Sequence, residues 1–463
     1  MRRILVAALA LSVLAPGTAT AAPAEVPKPI ATKPGNGWIR VAPNGRYLQH
    51  ANGAPFFAVG HDEAFGFFYQ KMNPKPVLEA FMKHMKANGQ NTLLVQVDTE
   101  DRDFYGGHRL NLEWPAGVYH EDIAKQFDEL MAMAEANDIY VITYLWDTFH
   151  MTHKWGESPY NVKHGGPCTY PSEMFTNDQA IALQKKKLAW AIDRWGNRKN
   201  LLAWDLMNEA DTISGAIDAN KDASGKHHTA SSDEIREWYI QMATFCREYE
   251  LKKWGKSHLR TISTTNPRYE RFWFYETPEI DLVTNHQYYW NLTADPKDSL
   301  DPIIGIREGL KQVLPLTRYL KPYMDTESGP IGWDLRNHQK PLPFDTEYFH
   351  NSIWTNWASG AAGSSLRWPY PNYGCGGTPF LNPWNPEQTK SLAVMAEVSR
   401  YVDWNDFTSR ISDTEFTTDD KGIWTMGCSD DNQILGFIVK NYRETTAATV
   451  RSRVRFSGLK PGS

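Results

Sequence analysis

The chain has 463 residues and a net charge of -5, so it carries no basic footprint for nucleic acid, and the Lys185 to Lys187 run reads as the wetted face of a helix. Hydrophobic residues at 41% and charged residues at 22% exclude general disorder and supply a sizeable core. The 18 Trp and 21 Tyr exceed what packing requires, and rings at a cleft are a platform for the apolar faces of sugars, although each could also serve a Trp-rich core.

In chain order, "MRRILVAALALSVLAPGTATA" (residues 1–21) has two arginines, an apolar stretch and a small-residue cleavage site. It reads as a secretory signal, so an exported protein is expected. No later stretch is long and apolar enough to span a bilayer. Residues 22–36 form a Pro-rich leader. Asn44-Gly45 and Asn52-Gly53 then mark tight turns of a β-hairpin.

From there short apolar runs alternate with amphipathic ones. The apolar runs are "PFFAVG" at 55, "TLLVQV" at 92, "IYVITYLW" at 139, "LLAWDLM" at 201, "LRTIST" at 259, "DLVTNHQYY" at 281, "KPYMDTE" at 321 and "AAGSSLRW" at 361. Between them, helical period is clear at Leu78, Phe81, Met82 and Met85, and at Ile235, Trp238, Met242 and Phe245, the latter opened by a Ser231/Glu234 capping box. Eight such units within residues 37–408 predict an α/β fold, a (β/α)8 TIM barrel with an N-terminal hairpin. The competing doubly wound sheet lacks its glycine-rich phosphate turn. Residues 409–463 show alternation without helical period and predict a small antiparallel β domain. It stops at "LKPGS" and reads as incomplete, or as borrowing the hairpin to complete its sheet.

The four cysteines have no metal-binding spacing. Cys168 and Cys375 both lie in Gly/Pro loops and are candidates for a disulfide, whereas Cys246 falls on the apolar side of a helix.

A barrel displays its chemistry at the C-terminal strand ends. Here these offer His61, Asp62 and Glu63; Gln96 and Asp98; Trp146, Asp147 and His150; Asn208, Glu209 and Asp211; His286, Gln287, Tyr288 and Tyr289; Asp325, Glu327 and Ser328; and Arg367 and Trp368. A strand end followed by a helix N-cap is the blandest reading of Asn208 to Asp211. Glu209 and Glu327, however, stand after the fourth and seventh strands, and such ends face across one cavity. Two carboxyls about 5 to 5.5 Å apart suit a retaining glycosidase.

"WDLMNEAD" resembles the fourth-strand Asn-Glu motif of the clan A glycoside hydrolases, the group that includes the family 5 cellulases and mannanases. "PYMDTESG" resembles their nucleophile segment, "NHQYYW" their sixth-strand His-x-Tyr and "SSLRWPYP" their eighth-strand Trp. The resemblance implies that Glu209 is the acid/base and Glu327 the nucleophile. Asn208 would bond the hydroxyl beside the anomeric carbon, Tyr288 would orient Glu327, His286 would line the reacting subsite and Trp368 would floor it. Many family 5 enzymes have an Arg near the end of the second strand, where this chain has Gln96 and Asp98. His61, Asp62, Trp146 and His150 are therefore expected to supply sugar contacts. The expected activity is endo-cleavage of a β-mannan or β-glucan polysaccharide by a monomer without metal or cofactor. The alternatives are an exo-acting β-galactosidase or β-mannosidase of the same clan, or a barrel that only binds carbohydrate.

Overall fold

The structure, a computed structural model, describes residues 3–7, 29–30, 34–63, 75–98, 111–213, 218–265, 275–290, 297, 300–316, 320–331, 345–368, 386–447 and 449–458. The chain starts with β1 (Arg3–Ala7). Then β2 (Ile39–Val41), β3 (Leu48–His50) and β4 (Pro55–Phe56) form an antiparallel sheet whose turns place Gly45 and Gly53 at φ of 71° and 84°, as Asn-Gly turns demand. This sheet packs against the N-terminal end of the barrel. The Tyr140 hydroxyl donates to the Gly37 carbonyl (3.1 Å), and the Phe56 and Tyr140 rings meet edge to face at 5.1 Å.

The barrel follows as β5 (Gly60–Asp62), α1 (Lys75–Ala87), β6 (Thr92–Gln96), α2 (Glu121–Ala136), β7 (Tyr140–Tyr144), the short α3 (Thr148–His153), α4 (Asp178–Trp195), β8 (Leu201–Asp205), α5 (Ser232–Trp254), β9 (Leu259–Thr261), β10 (Ser263–Thr265), β11 (Val283–Trp290), α6 (Leu300–Leu316), β12 (Tyr323–Ile331) and α7 (Asp345–Ala358). Strands β5 to β9 pair in parallel in sequence order, as do β10 to β12. Ile262 alone separates β9 from β10, so together they form the fifth stave. The eighth stave, residues 361–368, closes the ring through single parallel bridges, Ala58–Gly363 on one side and Ser328–Arg367 on the other. A side chain at Gly363 would put its Cβ 2.8 Å from that of Ala58, so glycine permits the close approach.

Apolar residues divide into two layers. Leu94, Ile142, Leu202, Leu282, Met324 and Leu366 belong to one cluster, which extends to Ile39, Leu48 and Phe56 of the hairpin sheet. Between strands and helices lies a second cluster that includes Leu78, Phe81, Phe127, Leu188, Trp195 and Trp238. The periodic residues of α1 are all buried, and Ser231 and Glu234 form the expected reciprocal cap of α5.

After α8 (Pro386–Ser399) come β13 (Arg410–Ser412), β14 (Phe416–Thr418), β15 (Ile423–Ser429), β16 (Gln433–Lys440) and β17 (Val454–Phe456). β13, β15 and β16 form one antiparallel sheet, and β14 pairs with β17. β1, which falls within the expected signal segment 1–21, pairs in parallel with β16, whereas the hairpin is engaged at the barrel base. An open strand edge is satisfied by the nearest extended apolar run. Among the described residues no helix is long and apolar enough to cross a membrane.

The Lys185 to Lys187 run is not uniformly wet. The Lys187 side chain is fully buried: its Nζ lies 2.6 Å from Asp98 and 3.4 Å from Glu113, both equally buried, and 2.9 Å from the Leu145 carbonyl oxygen. A lysine enters the layer behind the barrel only because two carboxylates meet it there. Glu113 also accepts from the Gly117 amide and the Tyr160 hydroxyl, so this one cation ties α4 and the 111–120 loop to the end of the second stave.

Candidate active site

Pairing with the third stave resumes three residues beyond the end of β8, where the Asn208 amide donates to the Trp146 carbonyl (3.0 Å), and the chain then turns sharply. Glu209 takes φ 51° and ψ 41°, left-handed backbone that costs a non-glycine residue about 1 kcal/mol. Its amide donates to Ser263 Oγ (3.1 Å), and its carbonyl accepts from Thr148 Oγ1 (2.8 Å). Ser263 Oγ also donates to Asn208 Oδ1 (3.0 Å), whose Nδ2 points to Asp147 Oδ1 (3.4 Å). Asp211 accepts from the Thr265 amide and hydroxyl, so it anchors the turn.

Glu327 arrives from the opposite side. A register shift between β11 and β12 pairs Asn285 with Asp325 but His286 with Glu327, skipping Thr326. The irregularity re-aims Glu327 beside His286. Imidazole Nδ1 lies 2.9 Å from Glu209 Oε1 and 3.3 Å from Glu327 Oε2, and the Tyr288 hydroxyl donates to Glu327 Oε1. One ligand atom from each of Glu209, His286 and Glu327 can be chosen so that all three lie within 4.8 Å of one another.

Burial raises the Glu327 carboxyl to about 7. The His286 charge and the Tyr288 hydroxyl hold it down, and the Glu209 charge pushes it up. Burial lowers His286, but the charges of Glu327 and Glu209 outweigh this and lift it to about 10. Near neutral pH the ring is therefore an imidazolium bridging two carboxyls. A metal in this triad would first have to displace the Nδ1 proton. Beneath lie Tyr144, raised by burial and by Asp147, Glu327 and Asp62, and Asp205, raised by burial to about 7.

Other expected residues divide by strand phase. Asp62 is buried and close enough for its charge to act on His286 and Tyr288. Its neighbour His61 turns to the helical layer, with its ring 5.9 Å from that of Phe81, and burial lowers it to about 4. Trp146 likewise faces outward. It is fully buried, with its ring 6.4 Å from Trp238 and Lys187 Nζ 5.1 Å above it, so it is packing and not a sugar contact. Asp147, one residue on, faces the site. Trp368 is half-buried against the inner cluster. His150 lies on α3, but its side chain is outside the described residues, as is Cys375. Cys168, its proposed partner, is a buried thiol. Ser263 escaped sequence reading, although it stands at a stave end, the one signal that could have found it; Asp147 was read as a strand-end residue but given no role.

No protein-family model matches the sequence, and no curated protein does. Solved structures do match. A glycoside hydrolase family 5 mannosidase from Rhizomucor miehei superposes with TM-score 0.57 and 14% identity, covering 79% of this chain and 99% of that one. A mutant of a Rhizomucor miehei family 5 mannosidase in complex with mannosyl-fructose gives 0.55 and 15%, over 79% and 99%. The endo-β-1,4-mannanase from Thermotoga petrophila gives 0.53 and 14%, over 85% and 93%. At such identities the likeness establishes the (β/α)8 barrel fold.

Proposed function

We propose that this chain is a retaining glycoside hydrolase that cleaves β-glycosidic bonds within a mannan- or glucan-type polysaccharide, acting as an exported monomer. The reading is carried by the proximity of Glu209 and Glu327: one carboxyl oxygen of each lies within 4.8 Å of the other, and both flank the His286 ring, a closeness that favours the short carboxyl separation, about 5 to 5.5 Å, of a double displacement. Glu327, which accepts from Tyr288 and pairs with the charge of His286, attacks the anomeric carbon. Glu209, whose side chain is 18% exposed against 9% for Glu327, protonates the leaving oxygen and then activates water. Asn208, held by Ser263 and Asp147, bonds the neighbouring sugar hydroxyl as the transition state forms. The folds of a mannosidase and an endo-mannanase lend further support.

The test is a screen of soluble β-mannan, β-glucan, xylan and galactan, with product sizing and anomeric NMR. Mixed oligosaccharides with retained configuration are expected. Release of monosaccharide alone favours exo action, inversion overturns the mechanism, and sugar binding without turnover leaves a carbohydrate-binding barrel. Tyr288→Phe sharpens the mechanism. Losing a hydroxyl that stabilises the Glu327 anion raises that carboxyl, so ionised nucleophile is lost over more of the acidic range. The acid limb of kcat/KM should move to higher pH by roughly one unit, and an unmoved limb argues against the contact.

A further inference from the structure

Thirteen percent of the residues are aromatic, yet among the described residues only one Phe, Tyr or Trp is exposed. That residue is Phe149, 44% exposed, on the first turn of α3. It does not stand on a loose loop. Its amide donates to Asp147 Oδ1 (2.9 Å), and its ring stacks on His153 one helical turn later, with centroids 4.3 Å apart and planes 26° from parallel. The preceding Thr148 clasps the proposed acid/base segment: its hydroxyl lies 3.0 Å from the Asn208 carbonyl oxygen, 2.8 Å from that of Glu209 and 2.6 Å from Thr212 Oγ1. A fixed, exposed ring is thus one residue along from the side chain that clasps the backbone of the proposed acid/base.

We propose that Phe149, backed by His153, is the stacking platform of a leaving-side subsite for a hexopyranose ring. The idea rests on the hydrolase reading and deepens it. A pyranose with mostly equatorial hydroxyls presents a C–H face that an aromatic ring desolvates, and the Asp147 and Thr148 bonds hold the platform in place before substrate arrives.

The test compares two substrates in the wild type, Phe149→Leu and Phe149→Trp. One is a β-linked oligosaccharide that fills the leaving side. The other is a β-glycosyl fluoride of the same sugar, whose leaving group has no ring. In Phe149→Leu the ratio of kcat/KM for oligosaccharide over fluoride should fall about tenfold, and Phe149→Trp should restore it. A ratio within twofold of wild type overturns the platform, as does an equal loss on both substrates. Titration calorimetry with the oligosaccharide in the Glu327→Gln background separates the two readings. If the wild type cleaves neither substrate but Phe149→Leu still weakens binding tenfold, the platform stands and the hydrolase reading falls. If binding is unaffected, the platform falls.

Discussion

Glu327→Gln is expected to lower kcat on a soluble polysaccharide by at least about 10³-fold while oligosaccharide affinity stays within a few-fold of wild type. The amide keeps the size of the side chain and can still accept from Tyr288, so the pocket retains its shape, but it cannot form the glycosyl ester. The paired measurement is reducing-end release against titration calorimetry. Loss of binding together with turnover would signal a collapsed pocket, and activity within tenfold of wild type would remove Glu327 from the mechanism. Azide adds a test of roles. With the side chain of Glu327 removed, azide should attack from the vacated face and give an inverted glycosyl azide; with that of Glu209 removed, the azide product should retain configuration.

The second large effect is on stability. Lys187→Met should cost roughly 3 to 5 kcal/mol in urea denaturation, because Asp98 and Glu113 would be left buried without their cation. Burial already raises Glu113, and Lys187 counters it. Without the lysine the folded-state Glu113 carboxyl rises further above its unfolded value, and stability is lost as pH climbs from the carboxylate range. The deficit should therefore be smaller at pH 5 than at pH 8. Combining Lys187→Met with Asp98→Asn and Glu113→Gln should recover most of it. A deficit independent of pH and unrelieved by neutralisation would mean that lost packing, and not charge, is responsible.

Much of the barrel was legible in the sequence because its signals are local. Alternating apolar runs, a capping box and Asn-Gly turns each constrain their own few residues. The candidate site was legible through position: Glu209, His286, Tyr288 and Glu327 all stand at stave ends, and their side chains come into contact. What failed was phase. Strand residues alternate between barrel interior and helical layer, and sequence period does not say which goes where. His61 and Trp146 were assigned to the cavity although Asp62 and Asp147 occupy that side. The shift that skips Thr326 and aligns Glu327 with His286 has no local signature either. Lys187 was misread because its partners lie in distant segments of chain, where helical periodicity carries no information. The strand edge that β1 covers is likewise a property of the assembled sheet.

The left-handed backbone of Glu209 sets durability against chemistry. Asparagine accepts that conformation more readily than glutamate does, so a selection for heat tolerance alone would drift toward asparagine there and silence the protein without unfolding it. Directed evolution of a hardier variant would need an activity filter in every round, or it would converge on a sturdy barrel without the carboxyl to which the proposed proton transfer is assigned.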